Sequence, residues 1–495
     1  MSEDTRQLKR EPPLEQESFI DNWFIGPLHF YDVLVLSLVA VFTIGLFAAG
    51  PPLFLDDFYH MGVAQEIHMF GFVPTWDFWD FVPIGRPHLY PPFLHIVMAF
   101  FMKFSGGDVF FAARVFKVIT YPFLVFCFWY STKGFLGRKS AFCSTMALAS
   151  IYPLLVLSYI IMPASLVLAL TCLLFLTFTQ KKLLYSIILM AVMLWLHISM
   201  PILTIIALLA FSLLRRKAGY LKFFFKVFVF SVMFYSPWLI HVAMNIDWLS
   251  SAGLPIELFV SFIVWALGLP AFVLSFRYYK ADYFIYTLYA FSLIPMFSGY
   301  GVRFWVYLAV PLSFFVGVTL SKHIGSKSGK MRTTKTILIL ILAASAVAVA
   351  PAIGGIAPVK QSPIAYPNNS FSLLPSPFLQ LLLWSPLQRS MITPDILPFY
   401  LASGWIRTNT QTFQPICYIG LSPTGASIIT AFTGRPTTGG MWLEVMNPLV
   451  QIVSQLYTLN YGTVYVVEFP FNAPPPSISC TLAADFGTIK IFVRT

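Results

Sequence analysis

The sequence predicts a polytopic α-helical membrane protein that carries a small α/β domain at its C-terminal end. Three observations predict it. Of 495 residues, 58% are hydrophobic and only 10% charged, against about a quarter charged in an ordinary soluble domain. Apolar runs of bilayer length alternate with short clusters of lysine and arginine, the pattern that orients membrane proteins. Beyond Gly355 the chain turns to prolines and β-branched runs. So much apolar surface cannot be hidden in a water-facing globule. The formal charge of +11 is dispersed as topology signals, so nucleic acid is not an expected partner.

Taken in order, residues 1–31 are polar and of mixed charge and read as a cytoplasmic tail without a cleavable leader. The run from Asp32 to Gly50 then serves as an uncleaved anchor. Residues 51–109 form a first external loop, with a short helix near His60–Phe70. Its apolar run Pro91–Phe104, about fourteen residues, is short for a crossing. Opened by Pro91-Pro92, it is laid along the membrane surface as an interfacial helix. That choice keeps Lys133, Arg138 and Lys139 on the cytoplasmic side.

Further spans fall near 110–131, 141–160, 164–180, 183–198, 201–214, 223–243, 257–276, 284–299, 304–320 and 335–353. They complete a membrane domain over 32–353 of about eleven helices. The segments 183–198 and 201–214 are short and meet at His197–Pro201, which marks a pair of broken helices. An odd number of crossings leaves the N-terminus in the cytoplasm and residues 354–495 outside. There, strand-like runs begin at Ile416, Thr463 and Thr488, separated by helix-length segments such as Pro448–Leu459. Asn368-Asn369-Ser370 is a glycosylation sequon on the exported side. Cys417 and Cys480 could pair there, and no Cys/His spacing indicates zinc.

Chemistry-bearing residues crowd into the first loop, where Asp56, Asp57, His60, Glu66, His68, Asp77, Asp80, Arg86, His88 and His95 lie in an otherwise charge-poor chain. Acids at a bilayer boundary are costly and point to function. Asp56 and Asp57 suit a carboxylate base acting on an attacking hydroxyl, or, more plainly, a helix cap. His60, one turn after Asp56, could touch a metal or a phosphate, or only shape the helix. Asp77 and Asp80 sit among Trp76, Phe78 and Trp79, a group suited to headgroups or to stacking on a sugar. In the stiff run from Gly85 to Pro92, Arg86 could grip a phosphate or pair with an acid of its own loop; His88 and Tyr90 lie in the same run. Arg303 breaks the positive-inside pattern and suits contact with a lipid phosphate, or snorkelling. The glycine-rich run Gly434–Gly440 could bring Arg435 over the site, although such runs are usually turns.

The run Asp56-Asp57-Phe58-Tyr59-His60, with Gly71–Asp77, Pro83–Pro87 and Tyr90-Pro91-Pro92, resembles the first external loop of archaeal oligosaccharyltransferase catalytic subunits. Arg303-Phe304 with Tyr307 and Pro311 is similar to the later span whose arginine binds the lipid phosphate in that family. The likeness runs over roughly Phe30–Leu320. It implies a GT-C glycosyltransferase: a polyprenyl (dolichyl) phosphate-linked sugar donor, a protein, lipid or glycan acceptor outside the membrane, and a catalytic Asp, by position Asp56. It also implies a divalent cation, Mg or Mn. No metal set is assigned here beyond Asp56 and His60 as residues that could touch one. Two departures stand out. The tail lacks the W-W-D-Y-G motif that grips an acceptor sequon, and the turn Ser158–Ser165 has no acid.

The expectation is therefore a multi-pass glycosyltransferase of a cell membrane, or of the endoplasmic reticulum in a eukaryote. The alternatives are an oligosaccharyltransferase proper and a transporter or lipid flippase. Span centres nearly free of charge, with acids gathered at one face, argue against passage through the bundle.

Overall fold

Long apolar segments become helices because a bilayer offers no partner for a backbone N–H or C=O. A computed structural model describes residues 29–48, 55–151, 154–155, 158, 160–249, 262–276, 281–293, 307–324, 396–420, 423–440, 448–468 and 470–495. It opens with α1 (Phe30–Ala48), α2 (Leu55–Phe70), the short strands β1 (Trp76–Asp77) and β2 (Arg86–Pro87), and α3 (Phe93–Phe104). Next come α4 (Val109–Leu136), α5 (Arg138–Ala149), α6 (Pro163–Thr179), α7 (Leu183–Leu196) and α8 (Met200–Leu214). They are followed by α9 (Tyr220–Met244), α10 (Phe262–Ser275), α11 (Phe284–Leu293) and α12 (Ala309–Ile324).

Among the described residues, three helices, α1, α4 and α9, are long and apolar enough to cross a membrane. The 28 residues of α4 reach about 42 Å at 1.5 Å per residue. Helices α3, α6, α7, α8 and α11 are apolar but shorter. The expected span 335–353 and the sequon at Asn368 lie outside the described residues. The broken pair is present. His197 is extended between α7 and α8 (φ −152°, ψ 145°), and its Nδ1 accepts the Ser199 and Met200 amides at 3.1 and 3.3 Å. Those bonds cap α8 where the break removes backbone partners.

Small residues let the helices approach. Gly134 of α4 rests on Leu176 of α6, and Gly317 of α12 on Ser144 of α5, where a Cβ would overlap the serine hydroxyl. Hydroxyls then cross-link the bundle: Ser131 donates to Cys172 O (2.7 Å), and Thr171 meets Thr204 (3.0 Å). At one end of the bundle the buried Asp32 pairs with Lys133 (3.4 Å) and Arg138 (3.3 Å). The start of α1 thus lies beside the end of α4, and the two run antiparallel. The far ends of α1 and α4 therefore lie at the same end of the bundle.

The C-terminal unit holds α13 (Ile396–Asn409), β3 (Ile416–Ile419), α14 (Pro423–Thr433), α15 (Pro448–Tyr461), β4 (Val464–Glu468), β5 (Cys480–Asp485) and β6 (Ile489–Arg494). Its sheet runs β3-β4-β6-β5, with β3 and β4 parallel and the other pairs antiparallel. The three expected strands are β3, β4 and β6. The expected Cys417–Cys480 pairing is corrected: both thiols are free. Their strands, β3 and β5, are separated by β4 and β6, at about 4.8 Å per strand, and a disulfide needs Cα atoms closer than about 7 Å.

Candidate active site

Helix α2 carries Asp56 and Asp57 in its first turn. Its inward stripe, Phe58, Met61 and Ala64, is completely buried in the main core, and Asp57, also fully buried, shares that side. The Asp57 carboxylate accepts the Ile161 N–H at 2.5 Å. Lys117 of α4, itself buried, lies close enough for its charge to act on Asp57. Asp57 thus ties three separate stretches together. The Asp56 side chain, like all of Arg303, lies outside the described residues.

Nine residues after Asp57 on α2, Glu66 meets a second set of charges. β1 and β2 pair antiparallel, with Asp77 opposite Arg86. The turn between them needs Gly85 (φ 69°), because a Cβ there would overlap the Asp77 carbonyl. Arg86 is 2% exposed. It binds Asp80 at 2.5 Å, lies 4.0 Å from Asp77, and stacks over the Tyr59 and Phe81 rings. Asp77 accepts the Trp79 and Asp80 amides at 3.0 and 3.2 Å, which fixes the turn. Of the two readings of Arg86, the geometry supplies the pairing within its own loop. Burial, then the Asp77 and Asp80 charges, push the Glu66 carboxyl up to about 10. Burial also raises Asp80, with Asp77 adding to it and Arg86 opposing.

Histidines form the other half of the site. His60 Nδ1 and His95 Nε2 are 2.8 Å apart, and His88 Nδ1 meets the Tyr59 hydroxyl at 3.3 Å. His241 Nε2 reaches the His88 carbonyl at 3.0 Å, and the ring of the half-buried Tyr90 lies edge-on to His60, His95 and His197. Five of the eight histidines converge here. Burial, reinforced by His197, lowers His60 to about 3. Burial, with Arg86 and two histidines, lowers His88 to about 3. His95 is lowered in the same way by burial and its two histidine neighbours. All three are neutral imidazoles. Among the described residues, no three His, Cys, Asp or Glu side chains are grouped to hold a metal ion; of the two residues expected to touch one, His60 is in this cluster and the Asp56 side chain lies outside the described residues.

The C-terminal unit closes over this loop. Helix α14 packs on α2, with Phe432 edge-on to Phe58 at 5.7 Å. The run 434–440 then pairs with 79–82: Thr437 N donates to Trp79 O (2.8 Å) and Val82 N to Thr437 O (3.0 Å). Gly440 lies against the Asp80 carboxylate, where a Cβ would overlap it. A cavity of about 10 Å³ remains between loop and α14, lined by Tyr59, Glu66, Asp77 and Asp80 and by Ser427 and Thr430. Arg435 does not extend over it. Its guanidinium bonds Thr410 Oγ1, Thr410 O and Thr433 O at 3.1–3.2 Å.

Sequence reasoning thus placed His60, Asp77, Arg86, His88 and Tyr90 in one neighbourhood. It missed Lys117, Ser427, His197 and His241. Lys117 had left a signal, a lone charge inside an apolar helix.

No family model matches the sequence, and no curated protein matches it. Solved structures do match. ArnT from Cupriavidus metallidurans, bound to undecaprenyl phosphate, is similar at 12% identity and a TM-score of 0.64, over 94% of this chain and 97% of that one. The archaeal oligosaccharyltransferase AglB from Archaeoglobus fulgidus, in complex with an inhibitory peptide and a dolichol-phosphate, is similar at 11% identity and a TM-score of 0.59, over 88% and 69%. The mycobacterial arabinofuranosyltransferase AftD is similar at 11% identity and a TM-score of 0.51, over 94% and 42%. This chain shares their fold.

Proposed function

We propose that this protein is a GT-C glycosyltransferase that takes a sugar or oligosaccharide from a polyprenyl phosphate and delivers it to an acceptor outside the membrane. Asp56 is its base. One observation carries this reading: the first turn of α2 is locked in place, with Asp57 held on the Ile161 amide beside Lys117. A base must be positioned before its proton affinity matters, and Asp56 is one residue from that anchor. The fold shared with enzymes solved on undecaprenyl and dolichol phosphates supports the same donor class. Arg303 is the proposed phosphate contact, and Tyr90 and the histidines around it the proposed wall of the donor site. Asp77 and Arg86 act by holding the loop.

The topology follows from the basic clusters: N-terminus cytoplasmic, about eleven crossings, loop and C-terminal unit outside. The pairing of Asp32 with Lys133 and Arg138 supports it by putting that basic cluster at the N-terminal end of α1. Incubating the purified protein with polyprenyl-phosphate sugars and membrane extracts, and reading the products by mass spectrometry, tests the reading. Release of polyprenyl phosphate coupled to a glycosylated acceptor is expected; sugar left on its carrier under all conditions overturns it.

A further inference from the structure

The end of the bundle opposite the first loop gathers positive charge on one small surface. His241, which reaches His88 in the candidate site, lies about five turns further along α9 than Lys222, or ~28 Å at 1.5 Å per residue. That is close to the ~30 Å of a bilayer's hydrocarbon. Around the start of α9 two turns meet. Lys181, between α6 and α7, donates to the Ala218 carbonyl at 2.7 Å and sits over the Tyr220 ring. Gly219, at φ 78°, carries the chain from the 3₁₀ turn Arg216–Ala218 into α9. Arg216, Lys217, Lys222 and Lys226 are all exposed, and neither 180–186 nor 213–227 contains an acid. Asp282, just before α11, pairs with Arg215 at 3.0 Å. We propose that this patch binds the headgroups of anionic phospholipids, in the leaflet away from the first loop. The proposal depends neither on the glycosyl-transfer reading nor on which side of the membrane is the cytoplasm.

The occupant follows from what adjoins the cations. Along α9, a helix long and apolar enough to cross a membrane, the next exposed side chains are Phe225, Val229, Phe230, Met233 and Phe234. A ligand that covers both surfaces is anionic at one end and apolar at the other. A soluble anion would leave the apolar side bare. Lys222 and Lys226 stand one turn apart on one face of α9, and each can lay its stem along the helix and raise its ammonium to phosphate depth. A zwitterionic headgroup brings a cation of its own, whereas a headgroup of net negative charge is attracted by every member of the patch. Basic residues that only orient a chain need no fixed arrangement. Here the Lys181–Ala218 bond and the Arg215–Asp282 pair hold the two turns and the start of α11 together, so that cations far apart in sequence share one surface.

The test uses the full chain purified in detergent, with dioleoylphosphatidylglycerol or dioleoylphosphatidylcholine added and the bound lipid counted by native mass spectrometry. The wild type is expected to hold the phosphatidylglycerol at least about tenfold more tightly at low salt, and to lose most of that preference at high salt. Lys222→Gln/Lys226→Gln is expected to bring the two lipids within about threefold of each other, with phosphatidylcholine binding and melting temperature unchanged because both lysines are exposed. Arg215, Arg216 and Lys217 remain in that variant to orient the chain. The salt series needs no variant, so it decides the question even where the double variant does not insert. Equal affinity for the two lipids overturns the proposal, as does a preference indifferent to salt or kept in full by the double variant. Displacement of the phosphatidylglycerol by equimolar glycerol 3-phosphate also overturns it, because the patch would then be a site for a soluble phosphate.

Discussion

The Asp57 carboxylate and the Ile161 amide, 2.5 Å apart, join the first turn of α2 to a turn more than a hundred residues later in the chain. The buried Lys117 lies close enough for the Asp57 charge to act on it. Removing one member of a buried charged pair leaves the other in a low-dielectric site, at about 3–5 kcal/mol. Asp57→Ala should therefore lower the melting temperature sharply in detergent. The double variant Asp57→Ala/Lys117→Met should recover much of the loss. Additive losses in that cycle would show that the two side chains do not interact.

Opposite titrations should make the folded protein lose stability on the alkaline side of about pH 6.5. His60 and His88 titrate near 3 when folded, with His95 also depressed, against about 6.5 in an unfolded chain. Below that value the unfolded chain binds more protons, so stability falls on acidification. Glu66, at about 10 when folded, keeps a proton that an unfolded chain gives up above about 4.3, so its contribution falls as pH rises. Asp77 and Asp80 are raised as well, so below about pH 6.5 three imidazoles and three carboxyls oppose one another, whereas above it the carboxyls act alone and stability falls. Melting temperatures measured from pH 5 to 9 check this. In Glu66→Gln the alkaline decline should be shallower, and the histidines, less opposed, should make stability fall more steeply on acidification below about pH 6.5.

Much of this was legible because it is local. The short helix after Pro91-Pro92 and the break at His197 follow from segment length and from residues that stop helices. The pairing of Arg86 with an acid of its own loop was one of two readings, and only distance could choose between them. The seam between 79–82 and 437–439 had no sequence signature, since backbone pairing across more than three hundred residues is indifferent to side chains. β5 was hidden for another reason. Cys480–Asp485 is a largely exposed edge strand, and its sequence CTLAAD lacks the β-branched alternation that marks strands. Lys117 was passed over because hydropathy averages a single charge away.

Two glycine-to-alanine changes should move stability in opposite directions. At Gly440 a Cβ would overlap the Asp80 carboxylate, which is held by Arg86 and cannot yield cheaply. Gly440→Ala is expected to cost about 1–3 kcal/mol, the range for overpacking, and to raise exchange at Thr437. Gly404 lies inside α13 with nothing near its added methyl. Gly404→Ala should therefore stabilise by about 0.5–1 kcal/mol through helix propensity. Thermal unfolding of both variants beside the wild type reads the two signs directly.

Asp56 and Asp57 are adjacent, yet their substitutions should fail differently. Asp57 has an amide and a lysine to hold, so Asp57→Asn should weaken folding and transfer together. Asp56, as the proposed base, should lose only chemistry. Asp56→Asn keeps the shape of the side chain and removes the proton acceptor, so kcat should fall by about 10²–10⁴-fold with the melting temperature and donor binding unchanged. Arg303→Ala should instead act on the donor, raising its KM, because a guanidinium on the lipid phosphate is already engaged when the donor binds. Steady-state transfer assays with a polyprenyl-phosphate sugar, run beside melting curves, separate the three. Wild-type kcat in Asp56→Asn would remove this residue from the chemistry and leave the base to be sought elsewhere on the loop.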